Sequence, residues 1–246
     1  AGMMGAHASF TLDDATLDGL ATMCQALDVG LHVHIAEGPD DRRETLARYG
    51  SGLLSRFEAR GLLRPGTILA HGVELTDDEI ERAAAAGCHF AHNPSSNLNN
   101  RVGFSPLWQR ADAVMLGTDG IGADMYTEAK MAWFRGTEAT GALSPGRVVA
   151  LLDASADRLY GALGVRGGEI APGCVADLQW LSYDSPTPLT ADTLAGHLLF
   201  GMGAQFVRHV WVGGRWVLRD GAFAEIDEAS ERANGRSEAV ALWGRR

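Results

Sequence analysis

Along the first 140 or so residues, short apolar runs alternate with longer stretches whose apolar positions recur three or four residues apart. The short runs fit strands, which present alternate side chains to opposite faces, and the longer stretches fit amphipathic helices. The pattern predicts strands over MGAHASF (4–10), VGLHVHIA (29–36), GTILAHG (66–72), CHFAH (88–92) and AVMLGTDG (113–120). Between them it predicts helices over 11–27, opened by Thr11 with Asp13 and Asp14 in the first turn, over 41–61, and over 76–87, opened by Thr76. The polar stretch NPSSNLNNRVG (93–103) reads as a loop, FSPLWQRA (104–111) as a short helix and TEAKMAWFRGTEATG (127–141) as a longer one.

Strand and helix in regular succession mean an α/β fold with a parallel sheet and crossover helices. Polar residues gather just after each strand: His7–Ser9, His34–Glu37, His71, His92–Asn97 and Thr118–Asp119. Carboxyl ends of parallel strands are where α/β folds carry their sites. A flavodoxin-like, doubly wound binding domain shares that property. It usually has a glycine-rich phosphate loop after its first strand, and none occurs here. After residue 143 the texture changes. SPGRVVALLDASADRLYGALG reads as one or two helices, then short antiparallel strands follow in GEIAPGCVADLQWLS and VRHVWVGGRWVLRDGAF, the latter with a Gly-Gly hairpin turn, and a polar helix closes the chain.

Composition narrows the function classes. The formal charge is −10, against a nucleic-acid surface, which needs clustered Lys and Arg. Lys130 is the single lysine. The three cysteines, Cys24, Cys88 and Cys174, are far apart and form no CxxC, so neither a zinc knuckle nor a disulfide framework is signalled, and a cytoplasmic setting is expected. No apolar run is long enough to span a membrane.

Candidate chemistry begins at GLHVHIAEGPD. His32 and His34 share one face of a strand, and Glu37 joins His34 only if the strand ends near Ala36 and turns, which Gly38-Pro39 favours. An imidazole beside a free carboxylate suits a metal-and-water site; two hydrogen-bonded histidines in a polar core are the alternative. His71 ends the next strand and Asp119 lies in a Gly-flanked loop, each equally readable as structural. HNPSSNLN (92–99) either binds substrate or satisfies its own backbone.

Taken in order, GAHASF, HVHIAE, AHGVEL, HNPSSN and LGTDGIGADM resemble the amidohydrolase superfamily, in the branch of triazine chlorohydrolases, guanine deaminase and related aminohydrolases. APGCVADLQWL and VRHVWVGGRWVLRDG are similar to the C-terminal β-sandwich strands of that branch. The resemblance implies part of a TIM-type (β/α)8 barrel, strands 4–8, over residues 1–165, and strands of a small β-sandwich with a C-terminal helix over 166–246. It implies one divalent metal, zinc or iron, with His34 as the strand-5 ligand and Asp119 as the strand-8 ligand. Glu37 would shuttle the proton, Asp119 would accept one from the water, His71 would hold the attacking hydroxide, and His7 would contact a small heterocyclic substrate; Asn97, in the polar HNPSSNLN stretch, is the other candidate substrate contact. A carboxylated lysine is not expected, because the strand where relatives carry it reads GAHASF.

Two of the family's ligands, an HxH on its first strand, have no counterpart, since only three strands separate HVHIAE from GTDG. His32 could serve as a third ligand only from deeper in the barrel. The expectation is therefore a C-terminal portion that takes its remaining ligands from an N-terminal barrel half or from another copy of the chain. The expected reaction is hydrolytic deamination of a purine, pyrimidine or triazine ring. The alternatives are triazine-type dechlorination and a catalytically silent half-barrel.

Overall fold

The computed structural model describes residues 1–105, 107, 114–141 and 143–245. Its larger sheet has five parallel strands: β1 (Met4–Ala8), β2 (Leu31–Ile35), β3 (Ile68–His71), β4 (His89–His92) and β5 (Val114–Leu116). They lie side by side in chain order, β1-β2-β3-β4-β5. That order excludes the flavodoxin-like alternative, because a doubly wound sheet reverses its strand order at a switch point. The fold is α/β and matches part of a (β/α)8 barrel.

The helices on the outer side are α1 (Asp14–Leu27), α2 (Pro39–Tyr49), α3 (Leu53–Glu58), α4 (Asp77–Ala85), α6 (Met125–Thr140) and α7 (Pro145–Leu163), while the short α5 (Pro94–Asn100) lies at the carboxyl rim of the sheet. Leu31, Val33, Ile35, Leu69, Phe90, Val114 and Leu116 point from the strands into one core with Leu17, Leu54, Phe57, Ile80, Val148 and Leu151 from the helices. The opposite, concave face carries Gly5, His32, His34, Ala70, Ala91 and Gly117 around a cavity of about 450 Å³. The strand period of two thus separates a packed apolar face from a face of small and polar residues.

Several predicted boundaries move for local reasons. The helix expected over 41–61 is two helices, because Gly50 takes a left-handed φ of 63° and ends α2. The helix expected from residue 11 starts at Asp14, where Asp13 caps it by accepting from Thr16 N at 2.8 Å. The stretch 93–103, expected as a loop, holds α5, which Pro94 opens and Arg101 closes in the left-handed region. The short helix expected at 104–111 falls largely outside the described residues.

A second sheet has four antiparallel strands: β6 (Leu178–Leu181), β7 (Val207–Val212), β8 (Arg215–Arg219) and β9 (Ala222–Phe223). Gly213 and Gly214, both at positive φ, make the two-residue turn between β7 and β8. Between β6 and β7 lie a short helix α8 (Ala191–Gly196) and a π-turn (His197–Gly201), neither signalled by periodicity. The last helix, α9 (Glu228–Trp243), has no buried residue.

Candidate active site

The polar cluster stands on the carboxyl rim of β2, β3 and β5, and the backbone there is bent into place. Ala36, His71 and Asp119 take φ of 53°, 74° and 49°, left-handed values that non-glycine residues adopt at a cost. At the end of β2 the turn is held by Asp41, on the first turn of α2, which accepts from Ala36 N at 2.7 Å and from the Ser9 hydroxyl. Burial pushes the Asp41 carboxyl up, against the hydrogen bonds it receives from Ser9, Ala36, Phe10 and Thr45. Glu37 leaves the sheet directly after this tied turn.

His34 reaches the cavity from β2 with its ring set by a backbone partner. Its Nδ1 lies 2.6 Å from the carbonyl oxygen of His7, which can only accept, so Nδ1 carries the proton and Nε2 keeps a free lone pair. His71, fully buried at the end of β3, stacks at a tilt beside His34 with ring centroids 5.3 Å apart. Its Nε2 stands 3.7 Å from Asp119 Oδ2 and 3.9 Å from Glu37 Oε2.

One short helix serves all three of these groups. Ser96 of α5 donates to Asp119 Oδ2 at 2.6 Å, Asn97 Oδ1 meets His71 Nδ1 at 2.8 Å, and Asn100 donates to Glu37 Oε1 at 3.0 Å. Ser96 and Asn100 are four apart and share a helix face. The helix is fastened in turn by Glu128 of α6, a buried carboxylate that accepts from Ser95 N at 3.2 Å. Partial burial pushes the Asp119 carboxyl up, but the Ser96 hydroxyl, the Gly120 N–H, His71 and His34 outweigh it and hold the group below the usual carboxylate range.

Asn93 closes the cavity from the end of β4. A Cβ at Gly117 would lie 2.3 Å from Asn93 Oδ1, so only glycine lets that amide lie over β5. His92, one residue earlier, is buried, and neither ring nitrogen has a hydrogen-bond partner among the described residues.

Of the residues expected from sequence, His34, Glu37, His71 and Asp119 come together. His7 lies beside His34, with ring centroids 5.6 Å apart, and is exposed. Asn97 is buried behind His71 and is not among the residues lining the cavity. Ser96, Asn100, Asn93 and Asp41 went unassigned in the sequence reading; the i, i+4 polar pair after a Pro at a helix start was the one available signal for the first two.

His34 Nε2 and the Asp119 carboxylate are donors of the kind zinc takes. They fit a divalent ion in part, because among the described residues no group of three or more His, Cys, Asp or Glu is placed to hold one.

Together these features define an α/β-barrel protein whose imidazole and carboxylate cluster occupies the strand ends where such barrels carry active sites. The chain belongs to the amidohydrolase family, whose model matches residues 2–217. It is 33% identical over 96% of its length to 5-methylthioadenosine/S-adenosylhomocysteine deaminase from Nitratidesulfovibrio vulgaris, covering 55% of that protein. It is 30% identical over 98% of its length to 5'-deoxyadenosine deaminase from Methanothermobacter thermautotrophicus, covering 58% of it. The chain thus spans little more than half of these relatives. An adenosine deaminase structure from Xanthomonas campestris with bound zinc superposes with a TM-score of 0.88 at 28% identity, over 98% of this chain and 57% of that one. Atrazine chlorohydrolase TrzN from Arthrobacter aurescens shares the fold, with a TM-score of 0.81 at 21% identity, over 95% of this chain and 54% of that one.

Proposed function

We propose that the chain is the C-terminal portion of a metal-dependent aminohydrolase that removes an exocyclic amine from an adenine-type nucleoside. One observation carries the reading: His34, Glu37, His71 and Asp119 meet on one rim, with His71 Nε2 within 3.9 Å of both carboxylates. His34 and Asp119 would hold the ion. When bound, zinc (or iron) supplies Lewis acidity where water attacks the ring carbon. Glu37, one of its oxygens tied by Asn100, takes a proton from the attacking water and returns it to the leaving nitrogen. The new C–O bond replaces the C–N bond, and ammonia leaves. Asp119, held ionised by its hydrogen bonds, serves as the second proton acceptor, and His71 steadies the attacking oxygen. His7 contacts the substrate from the exposed rim. The relatives' names favour 5'-modified adenosines over pyrimidines and triazines.

Residues 1–165 form the barrel portion in this reading and 166–246 the strands of a small sandwich. The ion's remaining donors come from protein outside these 246 residues or from a second copy of the chain. The three unpaired cysteines, two of them buried, fit a cytoplasmic setting.

The test is ammonia release from 5'-methylthioadenosine, S-adenosylhomocysteine and adenosine by the zinc-supplemented protein with its remaining metal donors present, as the longer polypeptide or as the chain's own oligomer, alongside metal analysis. Turnover that disappears in Glu37→Gln, with metal content lost in His34→Ala, supports the reading. A zinc-loaded protein with those donors present that turns over none of the three, or a Glu37→Gln variant as active as the parent, rejects it in favour of a silent half-barrel.

A further inference from the structure

A neutral imidazole has one proton for two nitrogens, and its neighbours decide which nitrogen holds it. Behind His71, Nδ1 lies 2.8 Å from Asn97 Oδ1, an amide oxygen that can only accept. In front, Nε2 faces Asp119 Oδ2 at 3.7 Å, Glu37 Oε2 at 3.9 Å and Asn93 Nδ2 at 3.5 Å. Asn97 is 2% exposed, and α5 fixes it through the flanking bonds of Ser96 and Asn100, so water does not compete for the contact. Its Nδ2 has no partner among the described residues. A buried amide that leaves one end unbonded is retained for what the other end does.

We infer that Asn97 is a positioning residue: it fixes His71 in the form protonated on Nδ1, leaving Nε2, which faces Glu37 and Asp119, as the ring atom with the free lone pair. The sequence pattern had suggested substrate contact for Asn97; the geometry puts it on the far side of the ring from the cavity. An amide suits this task better than a carboxylate would. It sets the tautomer without adding a third negative charge beside Glu37 and Asp119, which would turn His71 into one half of a buried ion pair.

The consequence for chemistry rests on the deaminase reading. Deamination moves a proton from the attacking water to the leaving amine. With Nδ1 held by Asn97, His71 presents only Nε2 to the reacting groups, so it orients them and passes no proton inward. The proton circuit stays between the cavity, Glu37 and Asp119.

The tautomer is measured directly by two-bond 1H–15N correlation on the chain labelled with 15N-histidine. The His71 signals are those lost in His71→Gln, and the spectra are taken above about pH 8, beyond the ordinary imidazole range. The expected result is a protonated Nδ1 and a bare Nε2 in the parent. Asn97→Leu should shift His71 to the Nε2–H form that free imidazole side chains prefer. A parent protein with the proton on Nε2, or an Asn97→Leu spectrum identical to the parent, overturns the inference. If Asn97→Leu does not fold, the parent spectrum alone decides. A chain that shows the Nδ1–H form yet deaminates nothing counts against the catalytic reading and leaves the role of Asn97 standing.

Discussion

His92 ends β4 with 2% of its surface exposed and, among the described residues, no hydrogen bond to either ring nitrogen. Phe104 meets it edge-on at 5.9 Å between centroids. Burial first, and the charge of His71 second, push its imidazole down from 6.5 to about 4. A depressed histidine is neutral in both folded and unfolded chains above pH 6.5. As pH falls, the unfolded chain gains a proton that the folded chain refuses. Stability is therefore full above the ordinary value and is lost between about pH 6.5 and 4, by roughly 3 kcal/mol. His92→Leu should remove that share of the acid loss, which urea titrations at pH 8 and pH 5 would measure. An acid limb as steep as the parent's would contradict the assignment. Sequence reading found His92 as part of a polar strand end but could not separate it from His71. Both follow an apolar strand, and only the packing around them differs.

At the scale of elements, α4 is the best-signalled piece of the chain. Thr76 accepts from Glu79 N at 3.3 Å, and Glu79 accepts from Thr76 N at 3.0 Å, a reciprocal cap written in TDDE. Glu79 also takes both guanidinium nitrogens of Arg42 from α2, at 2.6 and 3.2 Å. Burial pushes its carboxyl up, yet Arg42 and Thr76 together hold it below the ordinary glutamate value. A depressed carboxyl contributes stability above its unfolded pKa and loses it as pH falls through the folded value. Glu79→Gln should therefore cost about 1–2 kcal/mol at pH 7, and the difference from the parent should close below about pH 4. A pH-independent difference in thermal or urea unfolding would show that the cap alone, without the ion pair, does the stabilising. By contrast α5 was read as loop, because Asn and Ser favour turns as readily as short helices. Its helical state comes from outside: Glu128 holds its start, and Asp119, His71 and Glu37 hold its side chains.

Over the whole molecule, stability is distributed unevenly. The core lies between the five-stranded sheet and its helices. α9 buries no residue and leaves Val240, Leu242 and Trp243 more than half exposed. Deleting residues 227–246 should therefore change stability by less than about 0.5 kcal/mol and Tm by less than about 2 °C. Calorimetry on the shortened chain would check this. A loss of several degrees would mean that α9 is covered in solution by another surface. The sheet also ends in two outer strands, β1 and β5, whose far edges have no partner among the described residues. Such edges are ready to pair with further strands.

The sequence by itself determined the strand-helix alternation, the five parallel strands, the change to antiparallel strands after residue 143, and the placing of His34, Glu37, His71 and Asp119 at or just after strand ends. Each is written locally, in a period of two or 3.6, a cap, or a polar residue at the end of an apolar run. Tertiary structure decided what no local pattern encodes. It set the strand order that excludes a doubly wound sheet and made a helix of residues 94–100. It turned Asn97 away from the cavity, brought Asp41 under the β2 turn, and gave His34 and His71 their ring partners. The physical reason is separation along the chain. Asn97 lies 26 residues from His71 and Asn100 lies 63 from Glu37, so their hydrogen bonds exist only once neighbouring strands pair in register.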